Sequence, residues 1–197
     1  VDKKEIQRQR RRKYFIDAAK HILKTKGIDD ITVRKVAELA GYSYGTIYNY
    51  FKDLNELLWY VVGEIFQDIL QFIDNNLDDN NKALEGMKNA YRLYTSYFID
   101  NPNFYRLLFF SQLGKPPEEI EEKIRKPIFA QRQIKLLKQC ADEGLIKEED
   151  IERISEILTG MVHGLMLFHF SNKELLSEEE FFKKIEDNID FILNSKE

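Results

Sequence analysis

Tyr44, Tyr48 and Tyr50 fall close together in the stretch VAELAGYSYGTIYNYFKDL, interleaved with Thr46 and Asn49. Tyrosine and threonine hydroxyls and the asparagine amide donate and accept hydrogen bonds, and such groups reach phosphate oxygens and base edges. On a helix beginning at Tyr44, Ile47 and Phe51 point to one side and are available for burial. Tyr44, Tyr48 and the Thr46, Asn49, Tyr50 side then face outward. The competing reading is ordinary packing of tyrosines on a neighbouring helix.

The elements that must hold these residues are helical. Phe15, Ile16, Ala19, Ile22 and Leu23 form one apolar stripe on a first helix, and Gly27 stands where that helix would stop. Thr32 is placed to cap a second helix, Val33 to Ala40, which Gly41 ends; Ser43 is placed to cap a third, Tyr44 to Phe51. The intervening GYS is a turn of the length that joins the two helices of a helix-turn-helix. Asp53 and Glu56 form a capping box that opens a long fourth helix with Leu57, Leu58, Val61, Ile65, Ile69 and Phe72 at helical spacing.

Further helical patterns run over 82–100, 102–113, 118–143, 151–170 and 178–193, with Pro127 expected to kink or split the third of these. Asn101 with Pro102, and Ser177 with Glu180, mark two more helix starts. No stretch alternates strictly enough to read as a strand, so the fold class is all-α, with about nine helices. The expected division is a three-helix, helix-turn-helix domain at 1–52 and a helical effector-binding and dimerisation domain at 53–197.

Charge supports the same division. Residues 1–52 hold 13 Lys/Arg against 6 Asp/Glu, whereas 53–197 hold 17 against 28, although the whole 197-residue chain carries a net charge of only −4. A basic segment on an acidic protein, here including the run RQRRRK from Arg8 to Lys13, is the electrostatic footprint of nucleic-acid binding. No apolar run reaches the roughly 20 residues of a membrane span, and no signal-like segment follows the basic start. The chain is therefore expected in the cytoplasm and away from membranes. The single cysteine, Cys140, forms no internal disulfide or cysteine-rich zinc site.

The run ITVRKVAELAGYSYGTIYNYFKDLNELL, preceded by AAKHILKTKG, resembles the DNA-binding domain of TetR-type transcriptional regulators. The likeness is specific over about residues 14–62, through Gly27, Thr32, Val33, Ala37, Ala40, Gly41, Ser43, Gly45, Thr46, Tyr48, Phe51, Glu56 and Leu57. It implies a homodimer whose two recognition helices read operator DNA, with a helical core that binds a small effector. It assigns base-facing work to Tyr44, Gly45 and Thr46 and phosphate-facing work to Tyr48, Asn49, Tyr50 and Lys52, with Arg34 suited to either. Leu54 stands where the motif commonly has a phosphate-gripping lysine, and Lys52 is the expected substitute. Lys35 lies in the first turn of the second helix, where the dipole disfavours a cation, and a nearby phosphate would account for it.

The eighth helix carries no Asp, Glu, Lys or Arg from Ile157 to Phe170 and must be covered on two sides, one of them most simply by a partner chain. The expected dimer interface is Gly160, Gly164 and Leu167 with Phe182, Ile185 and Ile189 of the ninth helix. Phe66, Tyr91, Tyr94, Phe98, Phe109, His163 and His169 are the candidates for the effector site, although an aromatic stripe is more often plain core.

Other chemistry fits poorly. Asp74 to Glu85 has acidic and amide residues at positions 1, 3, 5 and 12 of a calcium loop, but Asp79 replaces the required glycine at position 6. His163 and His169 lie about 240° apart around a helix and cannot share a metal on one face. No cofactor, metal or catalytic constellation is expected. The reading is a ligand-responsive regulator, most simply a repressor. The alternatives are a regulator controlled by a protein partner with a filled core and, more remotely, an all-helical enzyme.

Overall fold

The computed structural model describes residues 2–78, 82–125, 128–171 and 176–193. Among them are nine α-helices, three short 3-10 helices and no strand, and the all-α class is as the periodicity predicts.

Helix α1 (Lys3–Lys26) opens where the Asp2 carboxylate accepts from the Lys4 amide. It closes at Gly27, whose φ of +91° suits a residue without Cβ. Its inward stripe is Phe15, Ile16, Ala18, Ala19, Ile22 and Leu23. After a 3-10 turn at Ile28–Asp30, α2 (Val33–Leu39) is capped by Thr32, whose hydroxyl accepts from the Lys35 amide at 3.2 Å. Gly41, at φ +78°, turns the chain.

The reading element differs in form from the sequence expectation. Tyr44–Asn49 is a 3-10 helix rather than an α-helix reaching Phe51, and Ser43 makes no cap with its side chain. The Ser43 hydroxyl is instead paired with that of Thr46 at 2.8 Å. Ile47 and Phe51 are nevertheless both buried, so the inward side is as predicted.

The long α3 (Leu54–Asn76) begins with half of the predicted capping box. The Asp53 carboxylate accepts from the Glu56 amide at 2.9 Å, while the Glu56 carboxylate takes the Lys52 amide rather than that of Asp53. Then come α4 (Ala83–Asp100), α5 (Pro102–Phe110), α6 (Glu118–Arg125), α7 (Ile128–Asp142), α8 (Ile151–Phe170) and α9 (Glu178–Leu193). The pattern over 118–143 is thus two helices. Pro127 itself, and residues 79–81 of the calcium-like run, lie outside the described residues. At α9 the predicted box is complete: the Ser177 amide and hydroxyl donate to Glu180, and the Ser177 hydroxyl accepts from the Glu180 amide.

Packing gathers the chain into two compact units, Val1–Asp68 with Asn101–Arg125, and Ile69–Asp100 with Lys126–Glu197. This division does not follow the expected boundary between residues 52 and 53.

In the first unit Phe15 is fully buried among the rings of Tyr42, Tyr50 and Phe51, at centroid distances of 5.1, 5.5 and 6.3 Å. Such burial contributes about 2 to 3 kcal/mol. In the second unit α4 packs on α7 and α9, and α8 on α7 and α9. Its buried Gln133 is fully used: the amide nitrogen donates to the Tyr91 hydroxyl at 2.7 Å and the Ser155 carbonyl at 3.1 Å, and the amide oxygen accepts from the Ser155 hydroxyl.

Candidate nucleic-acid interface and effector cavity

The tight Gly41 turn fixes the 3-10 helix against α2 and leaves one of its faces in solvent. Tyr44 and Tyr48 are 56% and 47% exposed, a large apolar exposure for rings unless something covers them. Arg34, Gly45, Asn49 and Lys52 are exposed as well. A Cβ built on Gly45 would meet nothing within 4 Å, so the glycine lowers the surface at that point. Thr46 is half-buried and its hydroxyl is committed to Ser43.

Tyr50 is half-buried against Phe15, so only part of it faces out. Lys35 needs no phosphate to explain its position, because its ammonium is paired with the Asp30 carboxylate. That pairing holds the Asp30 carboxyl below its ordinary value through a hydrogen bond and the lysine's charge.

The basic run of α1 is divided in the same way. Arg10 and Arg11 are exposed, whereas Arg12 turns inward to Tyr60, Phe51 and Glu119, and Lys13 is paired with Asp17 and Glu64, each at 2.7 Å. Charge counting alone does not separate the two pairs.

Within the same unit α3, α5 and α6 line a half-open cavity of about 360 Å³. Trp59, Val62 and Phe66 of α3, Leu107 and Leu108 of α5, and Ile124 of α6 supply apolar walls; Ser111 and Gln112 add the polar groups and Leu113 closes the lining. The Trp59 indole donates to the Gly114 carbonyl at 2.8 Å, which ties the loop after α5 to α3. Trp59, Ser111 and Gln112 were not among the sequence candidates. The lone tryptophan was the available signal, and only the fold shows that it lines a cavity.

Of the effector candidates, Phe66 lines this cavity and Phe109 is exposed beside Tyr105. The other five lie in the second unit. Tyr91, Tyr94 and Phe98 are buried there, Tyr94 is stacked on Phe129 at 4.3 Å, and its hydroxyl is 3.4 Å from the His163 imidazole. Burial lowers the His163 pKa from its ordinary value. His169 lies 4.8 Å from the Phe181 ring. None of these five lines the pocket described above.

The α8 surface carries Ile157, Gly160, Met161, Gly164 and Phe168 along one face with Leu167 at its edge. Ile157, Leu167 and Phe168 are 44–47% exposed, and Phe191 of α9 is 77% exposed. Phe182, Ile185 and Ile189 are already buried in the protomer's own core, so Phe191 rather than those three represents α9 on the surface.

Residues 15–61, which include the whole reading element, match the model of bacterial regulatory proteins of the tetR family. That segment, residues 15–61, is a tetR-family domain. Over 109 residues the chain is 28% identical to the Bacillus subtilis protein named "Uncharacterized HTH-type transcriptional regulator YwcC", covering 52% of the chain and 49% of that relative. Over 85 residues it is 26% identical to the HTH-type transcriptional regulator SAB2452 of Staphylococcus aureus, covering 43% and 46%. The matched segment thus spans about half the length of each curated relative.

Solved structures share the fold at greater length. The RolR complex with resorcinol superposes with a TM-score of 0.73 at 17% identity over 96% of this chain and 90% of that one. FadR of Bacillus halodurans, a fatty acid degradation regulator, gives 0.69 at 17% over 92% and 94%. Both curated relatives are named HTH-type transcriptional regulators, and neither name favours the all-helical enzyme alternative. Among the described residues no helix is long and apolar enough to cross a membrane, and no group of three or more His, Cys, Asp or Glu is placed to hold a metal.

Proposed function

We propose that this TetR-family regulator works in the cytoplasm as a homodimeric repressor, released from its operator by a small, mostly apolar effector. Arg34, Tyr44, Gly45, Thr46, Tyr48, Asn49, Tyr50 and Lys52 form the DNA-facing set. The α8 stripe and Phe191 supply the apolar seam between protomers. Two symmetric copies then present two reading elements to two half-sites, about one helical turn or a small multiple apart.

The observation that carries the effector reading is the cavity behind Trp59. Its volume of about 360 Å³ lies at the small end of ligand pockets, and its walls are apolar with a few polar groups at one side. Resorcinol, the ligand in the RolR complex, is a suitable first probe for a cavity of this size and lining.

Trp59 is the only tryptophan, so its fluorescence reports occupancy directly. The titration is run with and without a DNA duplex that the protein has selected from a random pool. Linkage requires that a probe which weakens DNA binding be weakened by DNA to the same degree, typically about 5- to 150-fold. Equal probe affinity in both titrations removes the release mechanism even where the probe binds.

A further inference from the structure

Tyr44 and Tyr48 stand four residues apart on the outward face of the 3-10 helix. Their rings meet edge-on, with centroids 5.6 Å apart and planes at 73°, and their hydroxyl oxygens are 3.0 Å apart. Two separate tyrosines would offer two O–H donors to a ligand. In this pair one proton is spent between the oxygens, leaving a single donor for anything outside.

Either oxygen can be the donor, so the chain of two hydroxyls is reversible. Its outer end offers a proton in one state and a lone pair in the other. Base edges are told apart by fixed patterns of donors and acceptors, and a group that presents either with equal ease carries little base information. A phosphate oxygen only accepts. It selects one direction of the chain, and the first hydroxyl then polarises the second and strengthens the terminal, charge-assisted bond.

We propose that Tyr44 and Tyr48 engage DNA as one hydroxyl chain ending on a single phosphate oxygen, with Tyr44 acting as a positioning residue for Tyr48. The proposal rests on the DNA-reading function above. It moves the Tyr44 hydroxyl from the base edge, where the family resemblance puts it, to the backbone grip.

The test uses the duplex selected by the wild-type protein, with affinities measured for Tyr44→Phe, Tyr48→Phe and the double variant. Phenylalanine keeps the rings, and both positions are exposed, so folding is retained. Tyr48→Phe is expected to weaken binding roughly tenfold or more. The double variant should be no weaker than Tyr48→Phe alone, and a repeated selection with Tyr44→Phe should return the same sequence.

Replacing phosphates one at a time by uncharged methylphosphonates should reveal one position that weakens the wild type and leaves Tyr48→Phe unaffected. Single losses that multiply in the double variant, or a changed sequence selected by Tyr44→Phe, overturn the chain and leave DNA binding standing. A wild-type protein that selects no duplex overturns DNA reading and the chain together.

Discussion

The Arg12 guanidinium lies over the Tyr60 ring, 3.6 Å from its centroid, while its other side reaches toward Phe51 at 5.6 Å. A Glu119 carboxylate oxygen completes the setting at 3.4 Å, and only 19% of the arginine side chain is exposed. One member of the basic run is therefore a structural cation that joins α1, α3 and α6. Its neighbours Arg10 and Arg11 remain in solvent.

Arg12→Ala is accordingly expected to destabilise the fold by about 1 to 2 kcal/mol, through the lost cation–π contact with Tyr60 and the lost packing of a mostly buried side chain. In a chain of this size that lowers Tm by about 2 to 4 °C for each kcal/mol. Arg10→Ala and Arg11→Ala should leave Tm in place and flatten the salt dependence of DNA binding. Thermal melts and salt titrations of the three variants separate the two roles. A Tm unchanged in Arg12→Ala contradicts the assignment.

Lys52 and Thr46 should fail in different ways on DNA. Lys52 is exposed beside the reading element, and removing a phosphate contact lowers affinity for all sequences and reduces the salt slope by about one. Thr46→Ala removes a hydroxyl from the base-facing set and should change which sequence is preferred. Parallel selections with both variants decide the matter: the same sequence preference in wild type, Lys52→Ala and Thr46→Ala removes Thr46 from base reading.

Much of the fold follows from local signals that tertiary packing reinforces. Thr32 caps α2, Gly27 and Gly41 take positive φ, and Ser177 with Glu180 opens α9, all as spacing predicts. The 3-10 form of Tyr44–Asn49 was not legible, because one extra or missing turn bond leaves Ile47 and Phe51 on the same inward side. Neither was the split of the basic run, since Arg12 finds Glu119 from 107 residues away. The cavity was missed for a related reason. Aromatic periodicity marks buried residues such as Tyr91 and Tyr94, whereas a void forms where three helices fail to close, and no single segment encodes that failure.

Association of two protomers is expected to depend on Gly164. A Cβ added at Gly160 or Gly164 meets nothing within 4 Å in the protomer, so a longer side chain is tolerated by the fold itself. Gly164→Arg puts an unpaired charge into an apolar seam, where the desolvation cost falls on the dimer alone. The variant should melt like the wild type when dilute and sediment as a monomer. A variant that sediments as an intact dimer places the seam elsewhere.

His163 should make stability depend on pH. Its imidazole is half-buried near the Tyr94 hydroxyl, and burial lowers its pKa below the ordinary 6.5. The unfolded chain therefore takes up this proton at a higher pH than the folded protein does. No stability is lost above about pH 6.5; it falls as the pH drops through that value and levels off below the folded pKa. One proton limits the slope to about 1.4 kcal/mol per pH unit. His163→Gln keeps a polar side chain without the titration, so wild type and variant should diverge between neutral and mildly acidic pH in denaturant melts. Parallel curves for the two proteins through that range would mean that His163 is as readily protonated in the folded protein as in the unfolded chain.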